Sequence, residues 1–191
     1  TLADTWVGGT IAPGNSIGTL TIDGDYVQAA GSVFEAELLP PATSDLLYVT
    51  GTATIEGGTL RAIRSPGTYL LGQSYRILTA EGGLSGAFDT LDDTGLSPFL
   101  SLALLYGANG VNIDVTRGAS LASAAMTLNQ FATATAVDGL AIDQGLLVPL
   151  TQLDAADAMA AIDQLSGEAH ASGQAVLLDS LGADEVTELI E

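Results

Sequence analysis

Short runs of alternating apolar and polar residues, each closed by turn residues, dominate residues 1–118. Runs such as GTLTIDG, GSVFEAELL, LLYVTGTATIEGG and VNIDVT are bounded by Gly, Pro, Asp or Asn, which is typical of short strands and tight turns. In SVFEAELL a period of two places Phe34, Ala36 and Leu38 on one face of a strand, and we expect that face to be buried. The first half of the chain is therefore predicted to be all β.

No stretch between these runs has the length or the period of a helix, which excludes an alternating βαβ architecture. A sandwich, a barrel and a stack of β-solenoid coils remain. The runs recur at irregular distances without a clean period, so the pattern does not choose among the three.

Residues 119–191 have a different texture, rich in Ala and Leu. The spacing of Leu121, Ala125, Leu128 and Ala132 predicts a first helix, followed by a break at VDGLAIDQG and Pro149.

A second helix is predicted in LDAADAMAAIDQL, extending as far as residue 170. Asp154 is its expected N-cap and Asp157 lies in its first turn. Its apolar stripe consists of Met159, Ile162, Leu165 and Ala169. GADEVTELIE, after Gly182, is a further short amphipathic piece.

The charge balance excludes several classes of partner. Four arginines and no lysine face 23 acidic residues, a net charge of −19, with −8 in residues 1–118 and −11 in residues 119–191. Such a chain repels phosphate backbones and anionic lipid, so we expect no nucleic-acid binding. No apolar run reaches the roughly 18 residues of a membrane-spanning helix, so no direct membrane insertion of this segment is expected. Cysteine is absent, which excludes disulfides and thiolate metal sites.

Three short motifs are close to known binding or catalytic motifs, but each lacks residues that the function requires. GTIAPGNS at residues 9–16 is close to a phosphate-binding loop but has Asn15 where that loop requires lysine. DDTG at residues 92–95 contains one Asp-Thr-Gly triplet, whereas aspartic protease catalysis requires two carboxylates. DGD at residues 23–25 offers too few oxygen ligands for calcium. We interpret all three as turns, and no cofactor or metal is expected.

QLSGEAHASGQAV, residues 164–176, contains the only histidine of the chain. On one helix Ser166 and His170 lie four residues apart and could touch, as in a hydrolase. Glu168 would then point elsewhere and could not orient the imidazole, and no G-x-S-x-G turn surrounds a serine. The interpretation favoured here is a surface histidine on a helix, with no catalytic residues in the chain.

Longer motifs carry a more specific resemblance. GGTIAPGNSIGTLTIDGDYVQAAGSVFEAEL, SDLLYVTGTATIEGGTLRAI, YRILTAEGGLSGAFDTL and LSLALLYGANGVNIDVTR follow one another in this order. Together they resemble the C-terminal passenger region of autotransporters, the type V secretion proteins of Gram-negative bacteria. TLNQFATATAVDGLA and LSGEAHASGQAVLLDS resemble the linker between passenger and translocating β-barrel. The resemblance covers roughly residues 8–180, although basic residues expected shortly after HAS are absent.

This resemblance implies a pertactin-like right-handed parallel β-helix followed by two or three short helices. Residues 1–118 would be the end coils, or autochaperone region, and residues 119–191 a helical linker towards the barrel. The expected function is to fold first at the cell surface and to nucleate folding of the upstream coils. The expected partners are therefore the upstream passenger and the barrel of the same polypeptide, on the extracellular side of the outer membrane.

The predicted site residues are structural. The candidates for the solenoid core or cap are Trp6, Ile11, Ile17, Leu20, Ile22, Tyr26, Phe34, Leu38, Val49, Ile55, Leu60, Tyr75, Ile77, Leu78, Phe88, Leu102, Leu104, Val111 and Ile113. The linker-helix candidates are Met159, Ile162, Leu165 and His170.

Alternatives to the autochaperone hypothesis remain open at this stage. The chain could be an adhesive surface module or a passive stalk spacer. The exposed N-terminal edge of a solenoid fragment would also invite pairing, so we expect it either to be capped by the helical tail or to form a homodimer.

Overall fold

The computed structural model describes residues 1–14, 16–93, 96–142 and 145–167. The chain divides into two compact units, Thr1–Gly118 and Ala119–Glu191. The first is a parallel β-solenoid and the second contains short helices, which confirms the predicted fold class.

The solenoid is built from three sheets that the chain visits in turn. Sheet I has the strand order β1-β4-β8-β11, sheet II has β2-β5-β9-β12, and sheet III has β3-β7-β10-β14-β13, with β6 paired to β5. The strands are β1 Thr5–Val7, β2 Thr10–Ile11, β3 Thr19–Ile22, β4 Tyr26–Gln28, β5 Val33–Leu39, β6 Thr43–Ser44, β7 Leu46–Val49, β8 Ala53–Ile55, β9 Thr59–Arg64, β10 Ser74–Ala80, β11 Leu84–Gly86, β12 Thr90–Asp93, β13 Leu100–Gly107 and β14 Gly110–Arg117.

Three complete coils run from sheet I through sheet II to sheet III, and a fourth begins with β11 and β12. Pairing between successive coils is parallel and in register in all three sheets. The pairs Thr5–Tyr26, Tyr26–Ala53 and Ala53–Leu84 give offsets of 21, 27 and 31 residues. The sequence shows no clean period because the corners between strands differ in length while the register is kept.

The core lies between the three sheets. In β5 the residues Phe34, Ala36 and Leu38 are fully buried, as the period of two predicts, while Glu35 and Glu37 lie on the outer face. Tyr26 and Tyr75 are also fully buried, and burial raises the pKa of the Tyr75 phenol to about 12.

The second unit contains a 3₁₀ helix, Leu121–Ala124, and three α-helices: α1 Leu128–Asp138, α2 Leu147–Thr151 and α3 Ala155–Ser166. The first predicted helix is thus divided, because Thr127 forms a capping box with Gln130 that starts α1 only at residue 128. Pro149, predicted as part of a break, lies in the first turn of α2, where its missing N–H costs nothing.

Helix α3 begins as predicted, with the Asp154 side chain accepting a hydrogen bond from the Asp157 N–H. It ends at Ser166 and not at residue 170, because Gly167 adopts a left-handed conformation with φ of 76°. No helix among the described residues is long and apolar enough to cross a membrane.

Candidate functional site: the two ends of the solenoid

The structure places most of the predicted core residues inside. The buried ones are Ile11, Ile22, Tyr26, Phe34, Leu38, Val49, Ile55, Leu60, Tyr75, Ile77, Leu78, Phe88, Leu102, Val111 and Ile113 in the solenoid, and Met159 and Ile162 in α3. Ile17, Leu20 and Leu104 are half-buried.

Two predicted residues lie on the surface, and His170 lies outside the described residues. Trp6 is 68% exposed, because it points outward from β1, the first strand of sheet I, and its ring lies over Gly8. Leu165 is 46% exposed, in the last turn of α3. Trp6 and Leu165 were predicted to be buried because they are apolar. Their apolar character does not show which face of a strand or helix at the end of a unit is covered.

The N-terminal end of the solenoid is open. Strands β1 and β2 pair on one side only, with β4 and β5 of the next coil. Their other edges have no strand partner among the described residues. Leu2 forms a parallel bridge with Ile22 of β3, so a residue upstream of β1 already occupies the position of a preceding strand of sheet III. This end can accept further parallel strands.

At the C-terminal end a β-hairpin is added to sheet III, while β11 and β12 are the last described strands of sheets I and II. Strand β14 pairs antiparallel with β10, and β13 pairs antiparallel with β14 along its whole length. The Asn109 side chain in the hairpin turn donates to the carbonyls of Ala80 and Glu81, at 2.8 and 3.2 Å. The Tyr106 hydroxyl accepts a hydrogen bond from the Phe88 N–H at 3.0 Å. The hairpin therefore ends the parallel pairing of sheet III and is held by hydrogen bonds to the neighbouring coils.

The corner between sheets III and I is a stack of glycines. The Gly51 N–H donates to the Gly24 carbonyl, and the Gly82 N–H donates to the Gly51 carbonyl, both at 2.8 Å. A Cβ on Gly82 would lie 2.8 Å from the carbonyl carbon of Gly51. The three corners can approach this closely only because side chains are absent.

Aspartates at the corners bind backbone N–H groups. Asp4 accepts from the Asp25 N–H, and Asp25 accepts from the N–H and the hydroxyl of Thr52. The two hydrogen bonds from Thr52, that of its N–H first, lower the pKa of Asp25. Asp45 is buried and accepts from the N–H groups of Gly18 and Glu37. The carboxylates of the DGD motif thus connect coils, and the described residues contain no group of His, Cys, Asp and Glu that could hold a metal ion.

An ion-pair ladder crosses the outer face of sheet II. Arg61 on β9 contacts Glu35 on β5 at 2.8 Å and Asp92 on β12 at 3.0 Å. Hydrogen bonds to the two carboxylates raise the pKa of Arg61, and the Asp92 carboxylate has the larger effect. The three residues share one row of the register. Ladders of this kind are invisible in the sequence, since their members are 26 and 31 residues apart.

A second ion pair joins Arg64 to Asp93 at 3.2 Å, in a half-buried setting where the guanidinium lies over the Tyr69 ring. Burial raises the pKa of Asp93, and the attraction of Arg64 only partly opposes it. Asp92 and Asp93 of the DDTG motif are thus both bound to arginines, while Thr94 and Gly95 lie outside the described residues. Nothing in this arrangement forms a pair of carboxylates sharing a proton.

Sequence reasoning missed a buried polar chain inside the N-terminal coils. The Tyr26 hydroxyl donates to Gln28, whose amide donates to Ser32, and the Ser32 hydroxyl donates to the Ala29 carbonyl. Burial raises the pKa of Tyr26. Gln28 and Ser32 are polar residues that no pattern marks as internal. Each is tolerated because its hydrogen bonds are made.

Of the serine and histidine considered above as a hydrolase pair, only Ser166 lies among the described residues. The Ser166 hydroxyl donates to the Asp163 carbonyl at 2.7 Å, within the last turn of α3. His170, Glu168 and Ser172 lie outside the described residues, as does Asn15 of the motif that is close to a phosphate-binding loop.

The chain is similar to part of two curated proteins, both named extracellular serine protease and both from Serratia marcescens. One is 34% identical over 142 residues, which is 69% of this chain and 13% of that protein. The other is 31% identical over 137 residues, which is 66% of this chain and 13% of that protein. The chain therefore matches about an eighth of the length of these relatives. No protein-family model matches the chain.

Proposed function

We propose that the chain is the junction segment of an autotransporter passenger, whose solenoid templates the folding of coils that precede it. The observation that carries the proposal is the asymmetry of the solenoid. At one end β1 and β2 are open parallel edges, and at the other the antiparallel β13–β14 hairpin ends sheet III, beside the edge strands β11 and β12 of sheets I and II.

The physical basis is the cost of starting a solenoid. The first coil orders its backbone without a neighbour, whereas each later coil pairs with one already formed. A segment that already forms stacked coils and presents free parallel edges at β1 and β2 removes the first cost. In such a chain, folding propagates from the hairpin towards the N-terminus.

The Serratia relatives are named extracellular, which supports a role in a secreted protein. We propose that the segment acts on the extracellular side of the outer membrane. Their name describes serine proteases, but this chain matches only 13% of each of them. We propose that the segment has no proteolytic activity of its own and that the catalytic part of any such protein lies elsewhere. The upstream coils and a translocating barrel of the same polypeptide are its proposed partners.

The test is surface display of the full-length protein carrying Ile77→Ala or Phe88→Ala. Ile77 is fully buried in β10, and large-to-small changes at such positions cost about 2–5 kcal/mol. We expect less folded passenger at the cell surface, measured by protease resistance of the upstream coils, with barrel insertion unchanged.

Ile63→Ala is the matched control, since Ile63 on β9 is 40% exposed. It should leave display unaltered. If Ile77→Ala destabilises the segment but the upstream coils fold and appear at the surface at the normal rate, the segment is a passive spacer and the template hypothesis is wrong.

A further inference from the structure

An open groove lies within the helical unit. It has a volume of about 420 Å³ and runs between α3 and the segment that joins the 3₁₀ helix to α1. Apart from Gln130 and Asp163, its lining residues are alanines and methionines. Met159 on α3 is buried at its floor, whereas Met126 at its rim is 92% exposed. The volume lies in the range of roughly 300–1,000 Å³ that is usual for ligand-binding clefts.

Asp163 gives this apolar groove a carboxylate. The Gln130 side-chain amide donates to Asp163 Oδ2 at 2.9 Å, and Gln130 Oε1 accepts from the N–H groups of Met126 and Thr127 at 2.8 and 3.2 Å. These hydrogen bonds fix the carboxylate against the start of α1. Its Oδ1 is buried and has no hydrogen-bond partner among the described residues. Burial of a carboxylate oxygen without a donor is costly, and a cation placed nearby offsets that cost.

The charge of the helical unit selects the sign of a ligand. Residues 119–191 contain 11 acidic residues and no lysine or arginine. Asp154 and Asp157 at the start of α3 add negative charge at the end of the groove that Ala155 lines. This field repels anions and attracts cations. No lysine or arginine of the unit itself can supply the cation, so we expect it to come from outside the unit.

Apolar walls beside a carboxylate suit a basic side chain. Lysine and arginine pack their aliphatic stems on apolar surface while the charged group binds a carboxylate. Ala155, Met159 and Asp163 are spaced by four residues and form one row on α3, about 12 Å long. About three or four residues of extended peptide cover that length. The groove is therefore long enough for a short peptide segment with its basic residue at the Asp163 end.

We propose that this groove binds a basic segment of another polypeptide, with an arginine or lysine stem over Met126 and Met159 and its cationic group beside Asp163. The inference does not rest on the proposed function of the solenoid. It gives the helical unit a docking site for a protein partner that presents a positive charge among apolar residues.

The test uses methyl NMR of the full chain. Met126 and Met159 are the only two methionines and both line the groove, so selective ¹³C labelling of methionine methyl groups gives two signals from the site. The ligand is an acetylated and amidated Ala-Leu-Arg-Ala peptide. Its control is the same peptide with citrulline, which keeps the shape of arginine without the charge.

We expect both methionine signals to shift with the arginine peptide, with an affinity at least about fivefold above that of the citrulline peptide. Equal affinities would mean that the groove takes an apolar segment whatever its charge. Unchanged signals at millimolar peptide would mean that it takes neither. A dependence of the signals on protein concentration without peptide would mean that a second copy occupies the groove. Each of these three results would overturn the proposal.

Asp163→Asn tests the carboxylate directly. The substitution keeps an oxygen that can accept from Gln130 and removes the charge, so the arginine peptide should bind at least about fivefold more weakly. Asp157→Asn is the matched control, because it changes the net charge equally on the same helix at an exposed side chain outside the groove lining. Its effect should stay within about twofold.

Equal weakening by the two substitutions would mean that the general field of the unit attracts the peptide and that Asp163 is not its binding partner. Circular dichroism of each variant checks that the helices are retained. The comparison of arginine and citrulline peptides uses the native chain, so it decides the outcome even where Asp163→Asn disturbs the fold.

Discussion

Aspartate residues in the solenoid show opposite electrostatic behaviour according to their partners. Asp25 accepts two hydrogen bonds from Thr52, which favour its charged form and lower its pKa. Asp93 is half-buried, and the loss of hydration raises its pKa even though Arg64 lies 3.2 Å away. For Asp93 burial outweighs the ion pair. The same residue type therefore stabilises the fold at one position and carries a cost at the other.

These two shifts predict opposite pH dependences. The lowered pKa of Asp25 contributes stability above its ordinary value of 3.8, which is lost as the pH falls through the folded pKa. The raised pKa of Asp93 favours the protonated form, so its contribution is present below 3.8 and is lost as the pH rises through the folded pKa. Relative to wild type, Asp25→Asn should lose stability with rising pH, whereas Asp93→Asn should gain it.

Urea denaturation of wild type and both variants between about pH 3 and pH 7 measures these differences, with circular dichroism as the signal. Each variant serves as the control for the other, since both replace one carboxylate by an amide. Parallel pH profiles for the two variants would contradict the assignment of the two carboxyl environments.

At the scale of elements, the coils depend on corners as much as on strands. Strand identity follows from alternation in the sequence, as β5 shows with Phe34, Ala36 and Leu38 buried. The coil register does not follow, because pairs such as Tyr26–Ala53 and Ala53–Leu84 are separated by different numbers of residues. Inter-coil contacts are decided by corner lengths, which carry no periodic signal. The ladder from Glu35 through Arg61 to Asp92 was unpredictable for that reason.

Helix boundaries show the same limit on prediction. The start of α3 at Asp154 follows from a local capping signal, and the structure confirms it. The start of α1 depends on a reciprocal contact between Thr127 and Gln130 that apolar spacing does not reveal. The capping residue thus predicted the start of α3 correctly, whereas apolar spacing alone placed the start of α1 too early.

The glycine stack gives a prediction at this scale. Gly82→Ala should destabilise the solenoid by about 1–3 kcal/mol, because the new methyl group meets backbone atoms of Gly51 and Thr52 within 3 Å. Backbone atoms in register between coils cannot move aside as a flexible side chain would. The measurement is the urea midpoint of unfolding, followed by circular dichroism.

Gly9→Ala is the matched control, because a Cβ there meets nothing within 4 Å. Its effect should stay within about 0.5 kcal/mol. Equal destabilisation by both substitutions would mean that the stack at Gly24, Gly51 and Gly82 is not close-packed in solution.

At the scale of the whole molecule, the solenoid has a direction: parallel edges at one end and an antiparallel hairpin at the other. Trp6 is the only tryptophan of the chain and lies on β1 at the open end, 68% exposed. Its fluorescence therefore reports on whatever covers this end. The nature of this cover distinguishes the stacking of preceding coils from the pairing of two open ends.

We expect Trp6 emission of the isolated chain to shift to shorter wavelength when the preceding coils are present in a longer chain, because an outward-facing side chain of the added coil would pack beside the indole and shield one side of it from water. Trp6→Phe in the longer chain should abolish the signal attributed to this position, which separates it from tryptophans upstream. A concentration-dependent blue shift in the isolated chain, with a doubled mass by light scattering, would instead indicate pairing of two open ends.

The short rise of the solenoid has a mechanical consequence. Successive coils are spaced by one strand separation, about 4.8 Å, yet the coil from Tyr26 to Ala53 contains 27 residues. Those residues would span about 90 Å as an extended chain. Each coil that pairs with the open end therefore shortens the unfolded chain by about 90 Å of extended length while lengthening the solenoid by about 5 Å. Stacking of coils onto a fixed end thus draws unfolded chain towards that end.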